Sequence, residues 1–179
     1  MSLTLFETTL TGSELSKTEL TERLTALKKD LSVEGADLVE VQFAKNNESA
    51  FIIIDANDEA SATQAIERHN FNVTLTKEVR LIGEDLEDVK KKNSDVNYLV
   101  EWNLPEDLTM DQYLNRKKQN SVHYAEVPEV EFARTYVCED MTKCLCFYDA
   151  PDEKAVKRAR KAVKTPIDAI TELGNNNEE

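Results

Sequence analysis

The chain has 179 residues, 40% of them hydrophobic, a share that supports a packed core and excludes a wholly disordered protein. Its 35 acidic residues outnumber 22 basic ones, and the formal net charge of -13 opposes general attraction to nucleic acid or anionic lipid. The three cysteines fall together between Cys138 and Cys146, which excludes a disulfide framework and leaves reduced thiols as the expectation.

The opening "MSLTLFETTL" carries no basic segment, and no apolar run approaches the roughly 18 residues that span a bilayer. A soluble, cytoplasmic protein without a membrane partner is expected. A strand from Leu3 to Leu10 leads to Ser16-Lys17-Thr18-Glu19, the spacing of a capping box, and then to Leu20, Leu24, Leu27 and Leu31 at helical spacing. Two strands, Asp37 to Ala44 and Ala50 to Asp55, flank the turn-forming "KNNES". A helix from Asn57 to His69 and a strand from Val73 to Ile82 complete a βαββαβ order. After the charged stretch "EDLEDVKKKNSDVN" the order repeats. It runs as strand Tyr98 to Asn103, a helix entered at Thr109-Met110-Asp111-Gln112, strands Val130 to Cys138 and Lys143 to Asp149, helix Asp152 to Val163, and strand Ile167 to Leu173.

A shift of 94 positions lays Leu5 on Leu99, Glu7 on Glu101, Leu10 on Leu104, and "DANDE" (Asp55 to Glu59) on "DAPDE" (Asp149 to Glu153). A constant offset without gaps points to duplication. The expected fold is α+β, with two ferredoxin-like repeats at 1–83 and 98–174, a linker at 84–97 and a frayed tail at 175–179. Their antiparallel sheets are expected to pack face to face as an intrachain α+β barrel, because Ile52 and Ile54 need cover.

Alternation across each strand divides the residues between two faces. If Cys138 opposes Cys144, then Arg134, Tyr136, Cys138, Cys144, Cys146 and Tyr148 share the face turned away from the helices. Glu7 and Glu101 join them there, approaching across the pseudo-twofold axis, with Arg134 or a bound cation as counter-charge. The candidate site is therefore Glu7, Glu101, Arg134, Tyr136, Cys146 and Tyr148. Glu101 is the candidate base or oxygen ligand, Arg134 the anion partner, and Tyr136 and Tyr148 the orienting hydroxyls. Cys138 facing Cys144 could form a disulfide, and the thiols suit a soft ion such as zinc or copper(I).

"YLVEWNLPEDLTMDQY", "FARTYVCEDMTKCLCFYDAPDEKAVKRARKAV" and "TPIDAITEL" together resemble an uncharacterised family of small ferredoxin-like domains, one member of which is a nickel-binding protein. The resemblance spans Tyr98 to Leu173 and implies cytoplasmic dimeric barrels with no established reaction. Glu101, Cys146 and Asp149-Ala150-Pro151 match its pattern, and Glu101 with Cys146 are the metal ligands it implies, for nickel or zinc. Many relatives carry histidines where this chain has Trp102, Asn115, Arg160 and Thr165.

His69 and His123 read as surface groups. Lys154, Lys157, Arg158, Arg160, Lys161 and Lys164 read as the solvated side of a helix whose apolar face is Ala155, Val156, Ala159, Ala162 and Val163. Three readings of function stand: a barrel that binds a small molecule or divalent metal, a cofactor-independent enzyme acting on a small organic compound, and an interaction module with a filled barrel. Pairing into a homodimer through sheet edges is compatible with all three.

Overall fold

Strand β1 (Ser2–Leu10) is followed by helix α1 (Lys17–Val33), whose capping box forms as the Ser16–Glu19 spacing predicts. The Glu19 amide donates to Ser16 Oγ at 3.1 Å, so two otherwise open amides are satisfied at the helix start. Leu20, Leu27 and Leu31 bury the predicted stripe. The half continues through β2 (Asp37–Phe43), β3 (Ser49–Ala56), α2 (Glu59–Arg68) and β4 (Phe71–Ile82). A short helix α3 (Leu86–Lys91) lies in the charged connection. The second half comprises β5 (Tyr98–Asn103), α4 (Met110–Asn120) with its own capping box at Thr109, and a 3-10 helix (Ser121–Glu126). It ends with β6 (Glu131–Cys138), β7 (Lys143–Asp149), α5 (Glu153–Ala162) and β8 (Ala169–Glu172). This computed structural model describes residues 2–10, 16–91 and 96–174, so the tail at 175–179 lies outside the described residues.

The strands form one antiparallel sheet in the order β2-β3-β1-β4-β6-β7-β5-β8. Each half keeps the ferredoxin-like arrangement. The halves join edge to edge, with Val79, Arg80, Leu81 and Ile82 of β4 paired to Cys138, Val137, Tyr136 and Thr135 of β6. On the far side the Ala44–Leu173 bridge closes the ring, supported by Lys45 N–H to Glu172 O and Gly174 N–H to Phe43 O, both 2.9 Å. The result is an intrachain α+β barrel with its helices outside.

Three apolar clusters follow. Phe6, Ile52, Ile54 and Phe43 pack under α1 and α2, and Val100, Trp102, Val137, Cys144, Cys146 and Tyr148 pack under α4 and α5. Leu5, Phe51, Ile53, Leu99, Tyr136, Cys138, Leu145 and Phe147 fill the barrel, with Val89 of α3 and Val96 added from the connection. This corrects the expected faces of β3 and β7. Ile52, Ile54, Cys144, Cys146 and Tyr148 point at helices, whereas Phe51, Ile53, Leu145 and Phe147 point inward. The cause is register: Val137, not Cys138, opposes Cys144, and Phe43, not Ala44, opposes Ala50. A slip of one residue exchanges the two faces of a strand. Tight turns set that register, with Met141 and Asn47 in the left-handed region at φ 60° and 59°. Cys138 and Cys144 consequently sit on opposite faces, and all three cysteines are free, buried thiols. Among the described residues no helix is long and apolar enough to cross a membrane.

Candidate functional site

The six predicted site residues fall into three places. Arg134 and Tyr136 meet inside the barrel, on β6. Arg134 Nε donates to Glu40 Oε1 at 2.9 Å, its Nη2 donates to Glu40 Oε2, and its Nη1 reaches Glu84 Oε2 at 3.1 Å. Tyr136 donates to Glu40 Oε1 at 2.6 Å, and Gln42 Nε2 donates to Glu40 Oε2 at 2.7 Å. Burial opposes the Arg134 charge, but the Glu40 carboxylate beside it holds its pKa above the ordinary value. Burial first, then the Glu40 charge, push Tyr136 well up, so the phenol stays protonated. Every charge here has a buried partner, which is the condition for a tolerable ionic group in a dry interior. Glu40 was the residue that sequence reasoning left out.

Glu7 and Glu101 do approach each other, as the repeat predicts. Their counter-charge is Lys143, however, and not Arg134. Lys143 Nζ donates to Glu101 Oε1 at 2.8 Å and forms an ion pair with Glu7. Burial raises the Glu7 pKa, with Lys143 pulling the other way and Glu101 adding to the rise. Burial also works against the Lys143 ammonium, yet hydrogen bonds to Glu101 and Glu7 keep its pKa above normal. Lys143 and Phe147, the neighbour of Arg134, lie four residues apart on β7, or about 13 Å. The two ionic groups are thus separate.

Cys146 and Tyr148 lie on the opposite side of the sheet from Glu101, facing α4 and α5. Glu101 and Cys146 therefore do not meet. Around Cys146 and Cys144 the sheet and helices leave a recess of about 360 Å³, partly open to solvent, whose wall includes Trp102, Tyr113, Lys117, Tyr124 and Arg160. Its enclosed part has room for about one or two waters or a group of that size. Arg160 is 2% exposed. Its Nη1 donates to Tyr148 Oη at 3.1 Å and its Nη2 to the Pro166 carbonyl at 2.5 Å, while Nε–H meets no acceptor. Tyr148 and Tyr124 share a hydrogen bond of 2.6 Å.

The electrostatics of this recess are one-sided. A hydrogen bond from Cys144 holds the Cys146 thiol well below its usual range against burial, with Lys117 and Arg160 adding positive charge and Thr135 donating to its sulfur at 3.2 Å. Cys144 shifts the other way, through that same bond and burial. Burial pushes the Tyr124 phenol up to about 12 and the Tyr148 phenol well up, so both stay protonated as donors. Burial opposes the Arg160 charge too, although the facing Cys146 sulfur and Tyr148 hydroxyl raise its pKa.

Arg160 was expected among the solvated charges of α5, and the structure buries it instead. The signal was present, since Val156, Arg160 and Val163 stand at i, i+4 and i+7, on one helix face. His69 and His123 lie apart from all three places, bonded to Asp30 at 3.1 Å and Glu126 at 2.6 Å.

The closed antiparallel sheet with outer helices defines an α+β barrel of the dimeric type, folded here from one chain. A family model described as "Nickel responsive protein SCO4226-like" matches residues 98–173, the half that carries the recess. Among solved structures the chain is similar to a provisionally named chlorite dismutase, TA0507, with a TM-score of 0.60 at 11% identity over 98% of this chain and 96% of that one. It is also similar to a provisionally named monooxygenase from Lactobacillus acidophilus NCFM, with a TM-score of 0.52 at 13% identity over 99% and 95%. At these identities the likeness is one of fold. No curated protein sequence matches the chain.

Proposed function

We propose that the protein binds a small ligand, and that the ligand enters the helix-covered recess of residues 98–173 rather than the barrel. One observation carries this reading: the wall of a partly open recess holds Arg116, Lys117 and the buried, incompletely paired Arg160, and no Asp or Glu. Buried charges in folded proteins are almost always paired, so cations without a carboxylate mark a place where an anionic partner is expected. The barrel interior, by contrast, is filled by Leu5, Phe51, Ile53, Leu145 and Phe147 together with the Glu40–Arg134 pair.

The match to a nickel-responsive family supports a second reading, a divalent metal at the same place. The donors of this chain do not fit nickel there. Cys144 and Cys146 are the soft ligands available, Lys117 and Arg160 beside them repel a cation, and three positions where relatives bear histidine are Trp102, Arg160 and Thr165, all in the wall. Among the described residues no group of three or more His, Cys, Asp or Glu could hold a metal ion. The enzymatic reading draws on the names of fold neighbours, and fold alone does not carry chemistry.

Elemental analysis of the untagged protein beside Cys146→Ser and Glu101→Gln decides between the two. We expect background metal in all three preparations. Stoichiometric nickel or zinc lost in Cys146→Ser would replace the small-molecule reading with the metal one.

A further inference from the structure

Resting on the recess as the working site, we infer that its ligand is a small planar anion: a carboxylate, or an inorganic oxyanion of similar size. In a chain of net charge -13 the wall of this recess carries Arg116, Lys117 and Arg160 and no Asp or Glu. None of the ion pairs among the described residues involves Lys117 or Arg160. Lys117 instead lies 4.2 Å from the centre of the Phe132 ring, and Arg116 gives one N–H to the Lys164 carbonyl at 2.6 Å. Among the described residues none of the three cations thus has a carboxylate partner, and Arg160 donates to the Tyr148 hydroxyl that Tyr124 also reaches.

Guanidinium geometry selects the ligand shape. A carboxylate binds side-on through Nε–H and one terminal N–H, and Nε–H is the donor of Arg160 that nothing in the protein uses. The space suits the head of such a ligand, about the size of one or two waters, and the partial opening to solvent leaves a way out for the remainder of a small organic acid. The Cys146 sulfur is the one group in the wall that could supply negative charge from the protein itself. Even as a thiolate it would balance one cation and leave the others.

Trp102 is the only tryptophan of the chain and lies in the wall, so its fluorescence reports the recess directly. The full chain is titrated at constant ionic strength with formate, acetate, benzoate, bicarbonate and nitrate. Chloride, uncharged acetamide and nickel chloride serve as comparisons. We expect saturable changes with the planar anions and none with acetamide. In Arg160→Met binding weakens by more than about tenfold, the scale of a lost charge-assisted hydrogen bond. Lys117→Met weakens it less and provides a second variant if Arg160→Met does not fold. Arg158→Met, removing an exposed arginine of the same helix paired with Glu129 at 2.8 Å, leaves it unchanged. Stronger binding of formate, bicarbonate and nitrate than of benzoate identifies an inorganic or one-carbon ligand, and the reverse order an organic acid. Saturation by nickel or acetamide without response to the anions overturns the anion class while keeping the recess as a site. No saturable response to any compound overturns both. Anion binding undiminished in Arg160→Met and Lys117→Met overturns the assignment to these residues.

Discussion

Two buried arginines, one on each side of the same sheet, meet opposite fates. Arg134 inside the barrel is held by Glu40 and Glu84, and Tyr136 beside it donates to the same Glu40 carboxylate. Arg160 beneath α5 has a phenol, a carbonyl and an unused N–H. Equal burial therefore does not mean equal purpose. The first arginine is compensated by carboxylates of the chain and reads as structure; the second has none, and it is where we place the proposed ligand.

The comparison breaks most readily at Glu40. Glu40→Ala leaves Arg134 charged and buried, and we expect a loss of about 3–5 kcal/mol in urea unfolding. A loss below about 1 kcal/mol would show that the barrel interior is not the dry, closed environment described. Next in size is Tyr136→Phe, which removes a hydrogen bond to a carboxylate and should cost about 1.5–3 kcal/mol, against about 1 kcal/mol for Tyr148→Phe. Equal costs would erase the distinction between the two networks. Arg160→Met should change stability by less than about 1 kcal/mol, since it removes an incompletely paired charge and leaves a long apolar side chain in its place. If it destabilises as much as Glu40→Ala, Arg160 is a structural arginine like Arg134.

The smallest effect is a slope. The Glu7 pKa is raised, so the native state holds that proton more tightly than the unfolded chain does. Its contribution is fully present below the unfolded value of 4.5 and is lost as pH rises through the folded one. Glu7→Gln should flatten the fall in stability across that mildly acidic window, measured by urea midpoints at stepped pH. An unchanged slope would assign the pH dependence to other carboxyls.

Much of the fold is readable in the chain because local signals agree with one another. Ser16-x-x-Glu19 and Thr109-x-x-Gln112 start helices, "KNNES" turns a hairpin, and the 94-residue shift aligns Glu7 with Glu101 inside the barrel. The faces of β3 and β7 are not readable in the same way. "FIII" and "CLCF" are apolar on both sides, since each strand is sandwiched between barrel and helix, so alternation carries no contrast and the turn alone decides. The counter-charges Glu40 and Lys143 were missed for a related reason. Lys143 is brought to Glu101 by the pairing of β5 with β7, and Glu40 reaches Arg134 across the barrel from a strand that does not pair with β6; no local pattern encodes either. Arg160 was hidden by composition, as one of six neighbouring basic residues of which the other five are exposed.

The ring of strands is fastened unequally. One junction, β4 to β6, is a ladder of four residue pairs, whereas the other is the single bridge at Ala44 and Leu173. Amide hydrogen exchange should register this as two cooperative units. The amides of Lys45 and Gly174 exchange first, through an opening that leaves both halves folded, and the amides of Arg80 and Val137 exchange only with global unfolding. A barrel of this kind has a hinge side and a latch side, and opening at the latch would free the edges of β2 and β8.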